Sequence, residues 1–142
     1  MKVVDANVLL YAVNEDSRHH RAARQWLDTA LSGGDVVGFD WVVLLAFVRI
    51  ATHPSIFANP LTVDSAFEIV DAWLGSPGAQ LLSPTPRHTG LLQSLVGTVG
   101  VGGNLVNDAH LAALAVEHRA DVVSFDRDFE RFGENGVRRY EP

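Results

Sequence analysis

Three aspartates interrupt apolar segments of this chain. Asp5 follows Lys2-Val3-Val4, Asp108 stands in Asn107-Asp108-Ala109-His110-Leu111, and Asp126 follows Asp121-Val122-Val123-Ser124. Each has an ordinary use when taken alone. Asp5 fits as the cap of a following helix, Asp108 as an acid favoured near a helix N-terminus, and Asp126 as the start of an Asx turn. Taken together they offer a different chemistry. Three carboxylates converging on one edge repel unless a cation sits between them or some keep their protons. Oxygen-only ligands suit Mg2+ or Mn2+. Such ions activate water and neutralise charge on a phosphodiester during displacement.

Composition removes most competing chemistries. The chain has 142 residues, the size of one domain, and it is read as a single domain over 1–142. It has no cysteine, which excludes disulfides, thiol nucleophiles and thiolate metal sites. Lys2 is the only lysine, which argues against a P-loop, a Schiff base or a Ser-Lys dyad. No Gly-x-Ser-x-Gly elbow is present, so a serine hydrolase is disfavoured. The net charge of -6 argues against a protein that coats nucleic acid, but not against an enzyme that approaches it through bound metal. No signal peptide is apparent, and no apolar run reaches the ~18 residues of a membrane span. The expected compartment is the cytoplasm, with no membrane partner.

The elements that must position the aspartates alternate in type. Strands are expected at residues 2–4, 35–39, 79–82, 121–124 and 137–140. Helices are expected from Val8 to Val13, His19 to Leu31, Trp41 to Thr52, after the Thr62 cap to about Leu74, from Thr85-Pro86 to about Val96, and from Leu105 to Arg119. A glycine-rich connector is expected at 97–103, and a polar turn or short helix at 125–132. Strands alternating with helices imply a parallel sheet covered on both faces, with ligands beyond the carboxyl ends of its strands. Asp5 and Asp126 both fall at that edge.

Several other residues have bland readings. Asp40 reads as a helix cap. His19 and His20 read as surface residues, and His110 as structural, because two residues from Asp108 on a helix point elsewhere. Trp41, Phe47 and Trp73 read mostly as core. Arg18, Arg21 and Arg24 make a basic stripe, solvated by default or touching a phosphate backbone.

At the aspartates the chain resembles the PIN-domain family, and within it the VapC-type toxins. The matching pieces are Val4 to Tyr11 (VDANVLLY), Trp41 to Pro54 (WVVLLAFVRIATHP), Asn107 to Ala115 (NDAHLAALA) and Val123 to Phe132 (VSFDRDFERF), in the family's order. The resemblance implies an α/β fold, a three-layer α/β/α sandwich with a mainly parallel sheet of four to five strands. It implies a metal-dependent endoribonuclease, often acting on structured RNA such as tRNA. It also implies a homodimer silenced by a VapB-type antitoxin seated in an apolar groove. By the same resemblance Asp5, Asp108 and Asp126 are catalytic metal ligands for Mg2+, with Mn2+ able to substitute. Asp128 is a more distant acid. Asn7, Ser124 and Arg49 support the site, with Arg49 pairing a carboxylate or touching RNA.

The chain departs from the pattern at one point. Many members carry a glutamate before Phe-Val-Arg in the third helix, where this chain has Ala46. That gap leaves a second reading, a degenerate PIN domain that binds RNA or a protein partner without cleavage. A third reading is a small nucleotide- or phosphate-handling α/β domain.

Overall fold

The three residues before the first aspartate, Lys2–Val4, form strand β1, and Asp5 stops it by capping helix α1 (Ala6–Val13). Helix α2 (His20–Thr29) buries Ala23 and Leu27 and runs into a π turn, Ala30–Gly34. Gly33 closes that turn at φ 106°, a conformation that glycine adopts without steric cost. Strand β2 (Val37–Phe39) is buried throughout. Helix α3 (Trp41–Ala51) starts at its Asp40 cap and ends before Pro54, and α4 (Val63–Leu74) starts at Thr62, whose side chain accepts from the Ser65 N–H. Strand β3 (Ala79–Leu81), α5 (His88–Val99), α6 (Asn104–Glu117), β4 (Asp121–Val123), a 3-10 helix (Arg127–Asn135) and β5 (Arg139–Tyr140) complete the chain. The structure, a computed structural model, describes residues 1–100 and 104–142. The expected 97–103 connector is shortened at its start, since α5 continues to Val99, and residues 101–103 lie outside the described residues.

Every described strand pair is parallel, in the order β3-β2-β1-β4-β5. The chain first winds outward from β1 to β2 and β3, then returns to the other side of β1 for β4 and β5. The direction of winding therefore reverses between β1 and β4, which pair from Lys2↔Asp121 to Val4↔Val123. In parallel α/β sheets this reversal opens a crevice at the carboxyl ends of the two strands. Helices cover the sheet as an α/β/α sandwich. Val3, Val4, Val37, Phe39, Val122 and Val123 are fully buried, as expected of strands covered on both faces.

The main departures from expectation are at element ends. Helix α5 begins at His88 rather than at Thr85, because Thr85 forms a turn first: its carbonyl accepts from the His88 N–H and its hydroxyl from the Arg87 N–H. Helix α6 begins at Asn104, so Asp108 lies beyond its first turn. Trp41 is 45% exposed and not core, since it is the first residue of α3 and points outward; Phe47 is fully buried and edges onto Trp73.

Candidate metal centre

Asp5 and Ser124 follow the adjacent strands β1 and β4 directly, so parallel pairing alone sets them side by side. The Asp5 N–H continues the ladder to the Val123 carbonyl at 3.0 Å. Asp5 Oδ1 accepts from the Ala6 N–H at 2.7 Å, and its Oδ2 accepts from the Ser124 hydroxyl at 2.6 Å. The fully buried Ser124 Oγ also accepts from Asn7 Nδ2 at 3.0 Å and from the Asp126 N–H at 2.9 Å. One donated and two accepted bonds use the hydroxyl's full capacity. Asn7 Oδ1 accepts from the Phe125 N–H at 3.3 Å. Asn7 and Ser124 thus tie the ends of β1 and β4 together and orient Asp5. The expected cap is present, with Oδ1 of Asp5 serving the start of α1 and Oδ2 taking the Ser124 bond.

Asp126 caps the 3-10 helix through the Asp128 N–H at 2.8 Å. That cap brings Asp128 back beside Asp126, and α6 delivers Asp108 from the other side. Carboxylate oxygens of Asp108, Asp126 and Asp128 lie within 4.8 Å of one another. Asp5 is coupled to the group through the charges of Asp108 and Asp126. Among the described residues, no lysine, arginine or histidine forms an ion pair with Asp5, Asp108 or Asp126; Asp128 has only Arg131 at 3.5 Å.

The electrostatics record this crowding. Burial pushes the Asp5 carboxyl up from its ordinary range against the Ser124 and Ala6 bonds that hold it down, and the Asp126 charge adds to the rise. Asp108 is pushed up to about 6, first by burial and then by the charges of Asp5, Asp126 and Asp128. An acidic group made only of oxygen donors, in which Asp128 alone among the described residues has a cationic partner, fits a hard divalent cation such as Mg2+ or Mn2+.

Beside the acids, a cavity of about 580 Å³ separates α3 from α6. Asp5, Asp108, Ala46, Arg49, Asn107 and His110 are among its lining residues. Arg49 therefore shares the cavity with two of the aspartates. Ala46 also faces it, so no acid from this turn of α3 joins the group. His110 lines the cavity as well, contrary to the expectation that its spacing from Asp108 turns it away. Its Nε2 lies 3.0 Å from Asp40 Oδ2, an oxygen that also accepts from the Val42 N–H as the cap of α3. Its Nδ1 lies 2.9 Å from His88 Nε2, and His88 Nδ1 lies 2.7 Å from Glu117 Oε2. Neither His88 nor Glu117 belongs to a motif that the sequence marks. One signal was available: Glu117 lies seven residues beyond His110, on the same face of an otherwise apolar helix.

The remaining histidines and arginines lie elsewhere. His20 Nδ1–H donates to the Tyr11 carbonyl, 2.8 Å away, and His19 packs against Phe125 with ring centroids 4.4 Å apart, so both are half-buried rather than free on the surface. Arg21 and Arg24 are exposed on α2, and Arg24 faces Asp28 at 3.5 Å; Arg18 precedes the helix and bonds to His19.

A parallel α/β/α sandwich with acids clustered at its winding reversal defines the class, and residues 2–135 match the PIN domain; the chain belongs to the PIN-domain family. It is 58% identical over 142 residues to Ribonuclease VapC37 of Mycobacterium tuberculosis, covering 100% of this chain and 97% of that protein. Among solved structures, the fold matches Mycobacterium tuberculosis VapC20, a sarcin-ricin loop cleaving toxin, with a TM-score of 0.69 at 18% identity and full coverage of both chains. It also matches VapBC2 from Rickettsia felis, bound to a promoter DNA fragment, with a TM-score of 0.70 at 15% identity, covering 99% of this chain and 97% of that one.

Proposed function

We propose that this chain is a single-domain endoribonuclease of the VapC type, the toxin of a toxin–antitoxin pair, and that it cuts RNA with Mg2+ or Mn2+ held by Asp5, Asp108 and Asp126, with Asp128 beside Asp108 and Asp126. The observation that carries the metal assignment is the acidic group at the β1–β4 crevice, which has no cationic side chain among the described residues to balance Asp5, Asp108 and Asp126. The ribonuclease reading is supported by the whole-length likeness to Ribonuclease VapC37, and the antitoxin reading by the VapBC complexes that share the fold. Structured RNA such as tRNA is the substrate class in this reading, and the cytoplasm its compartment; among the described residues no helix is long and apolar enough to cross a membrane.

A divalent ion bound to these carboxylates supplies charge neutralisation for a phosphodiester and lowers the pKa of bound water. The chain's own residues prepare that place. Ser124 and Asn7 hold Asp5 in one orientation, so no rotamer search is needed when a cation arrives. Asp126 is fixed by its own cap bond to Asp128. Arg49, on the cavity wall, is placed to meet a phosphate or a base on the α3 side.

The test is RNA cleavage by purified protein with Mn2+, with EDTA, and by Asp5→Asn. The expected result is cleavage only by the wild type with metal. Equal cleavage by Asp5→Asn would sink the assignment. The second reading, binding without cleavage, is favoured by Ala46, which puts a methyl on the cavity wall beside Asp5 and Asp108. It predicts no heat of Mn2+ binding at millimolar metal.

A further inference from the structure

We infer that Asp40, His110, His88 and Glu117 form a brace that holds Asp108 in position for metal; the inference rests on the metal-site reading above. The four side chains make one continuous path. It runs from the α3 cap (Asp40) to α6 (His110), to the first residue of α5 (His88), and back to α6 two turns further on (Glu117). Thr85 finishes it by donating its N–H and hydroxyl to Glu117 Oε1. With both acids ionised, three bonds along the path require three ring N–H groups from the two imidazoles. The path is shielded from water: the Glu117 side chain has no exposed surface, and those of Asp40, His88 and His110 are 7%, 12% and 18% exposed.

Two observations give this path a task beyond filling space. First, Asp108 is crowded by like charge. It faces Asp5, Asp126 and Asp128, and the one ion pair to these acids among the described residues is Asp128–Arg131 at 3.5 Å, so the metal-free protein must hold α6 against the remaining repulsion. His110 lies two residues along the same helix, and Glu117 anchors it two turns beyond, so α6 is fixed at two heights to α5 and to α3. Secondly, the buried side chains of α6 include four alanines, Ala109, Ala112, Ala113 and Ala115, beside Leu111 and Leu114. The two leucines interlock with neighbouring elements, and the alanines add little relief to that packing. Directed bonds across 22, 29 and 70 residues of chain add a fixed geometry to it. Such outer bonds fix where a ligand points before the ion arrives, and their loss typically weakens metal binding by about 10- to 100-fold.

These are positioning residues, and the test separates positioning from folding. Mn2+ is titrated calorimetrically into wild type, Asp108→Asn, His88→Ala, Asp40→Asn and Glu117→Gln, well below each melting midpoint. Asp40→Asn keeps the oxygen that the Val42 N–H and His110 share but removes its charge, and Glu117→Gln keeps an oxygen for Thr85 while removing the charge that faces His88, so these two spare the fold where His88→Ala fails. The expected result is a Kd for Mn2+ weakened about 10-fold or more in the folded brace variants. The Mn2+ concentration for half-maximal RNA cleavage should rise in parallel, with less change in the rate at saturating metal. If wild type binds Mn2+, Asp108→Asn does not, and the brace variants bind like wild type with only a lower melting midpoint, the brace is merely structural and the proposal fails alone. If wild type binds no Mn2+, the metal site itself fails and takes the brace with it. If none of the three brace variants folds, the path is a folding requirement and the proposal is overturned.

Discussion

At the residue scale, the site is governed by how few groups satisfy the acids. Ser124 is the central one, since its single hydroxyl serves Asp5, Asn7 and the Asp126 N–H. Ser124→Ala leaves the Asn7 amide and the Asp126 N–H without that acceptor in a buried place. A stability loss of about 1–3 kcal/mol is expected in urea unfolding, together with weaker Mn2+ binding because Asp5 loses its orienting donor. Asp108 gives a pH prediction. Its carboxyl, ordinarily near 3.8, is raised to about 6 in the folded metal-free protein. The native state therefore holds a proton that the unfolded chain has released, and stability falls as pH rises between the two values. Asp5 shifts in the same direction. Asp35 shifts oppositely, lowered to about 2 chiefly by its bond from Lys2, so its contribution is present above the ordinary value and is lost only in stronger acid. In EDTA, the melting midpoint should drop from about pH 5 to about pH 6.5 more steeply in wild type than in Asp108→Asn. Equal slopes would contradict the crowding seen here. Saturating Mn2+ should reverse the trend, because the cation binds the deprotonated carboxylates.

At the element scale, ends matter more than interiors. Helix α6 finishes at Glu117, and the chain turns out of it through Arg119 at φ 53°, a left-handed conformation in a non-glycine residue. The Ala120 N–H then returns to the Ala115 carbonyl at 2.8 Å and the Arg119 N–H to Val116 at 3.3 Å, the paired bonds of a Schellman ending. Glycine carries no Cβ penalty there, and Arg119 is exposed. Arg119→Gly should therefore stabilise the fold by roughly 0.5–1 kcal/mol, read as a shift in urea midpoint at constant slope. A loss of stability would mean that the arginine side chain makes a contact worth more than the backbone strain. The turn before β3 has the opposite demand. A Cβ on Gly78 would stand 2.3 Å from the Ala30 carbonyl oxygen and 2.9 Å from that of Asp35, so this glycine is required by close backbone approach.

At the scale of the whole molecule, a chain of net charge -6 must meet a polyanion. Without divalent metal, the acidic crevice and the overall charge both oppose RNA, and only local arginines such as Arg49, Arg21 and Arg24 favour it. Fluorescence anisotropy with a labelled RNA should show weak binding in EDTA and clear binding with Mn2+. Asp108→Asn should lose the metal-dependent part. Binding that is equally tight in EDTA would place the RNA on a basic surface away from the acids.

Much of this was legible in one dimension. Helical periodicity, β-branched runs and the Thr62 and Asp40 caps are local signals, and they placed the alternating elements to within a few residues. Asp5, Asp108 and Asp126 stood out because each interrupts an apolar run, and the family resemblance of the ordered motifs gave them a shared task. Pairing is not local. That β4 returns to lie beside β1, setting Ser124 against Asp5 across 119 residues, is decided by the sheet as a whole. So is the turn of α6 that carries His110 into the cavity and onto Asp40, since a spacing of two residues says nothing about which neighbour waits on that face. His88 and Glu117 passed unremarked for the same reason: a buried hydrogen-bonded path exists only where three helices meet, and no single stretch of sequence contains it. The sequence by itself determined the order of elements and marked which carboxylates interrupt apolar runs. The tertiary structure decided which side chains face one another, because burial and long-range hydrogen bonds act between residues that the chain keeps far apart.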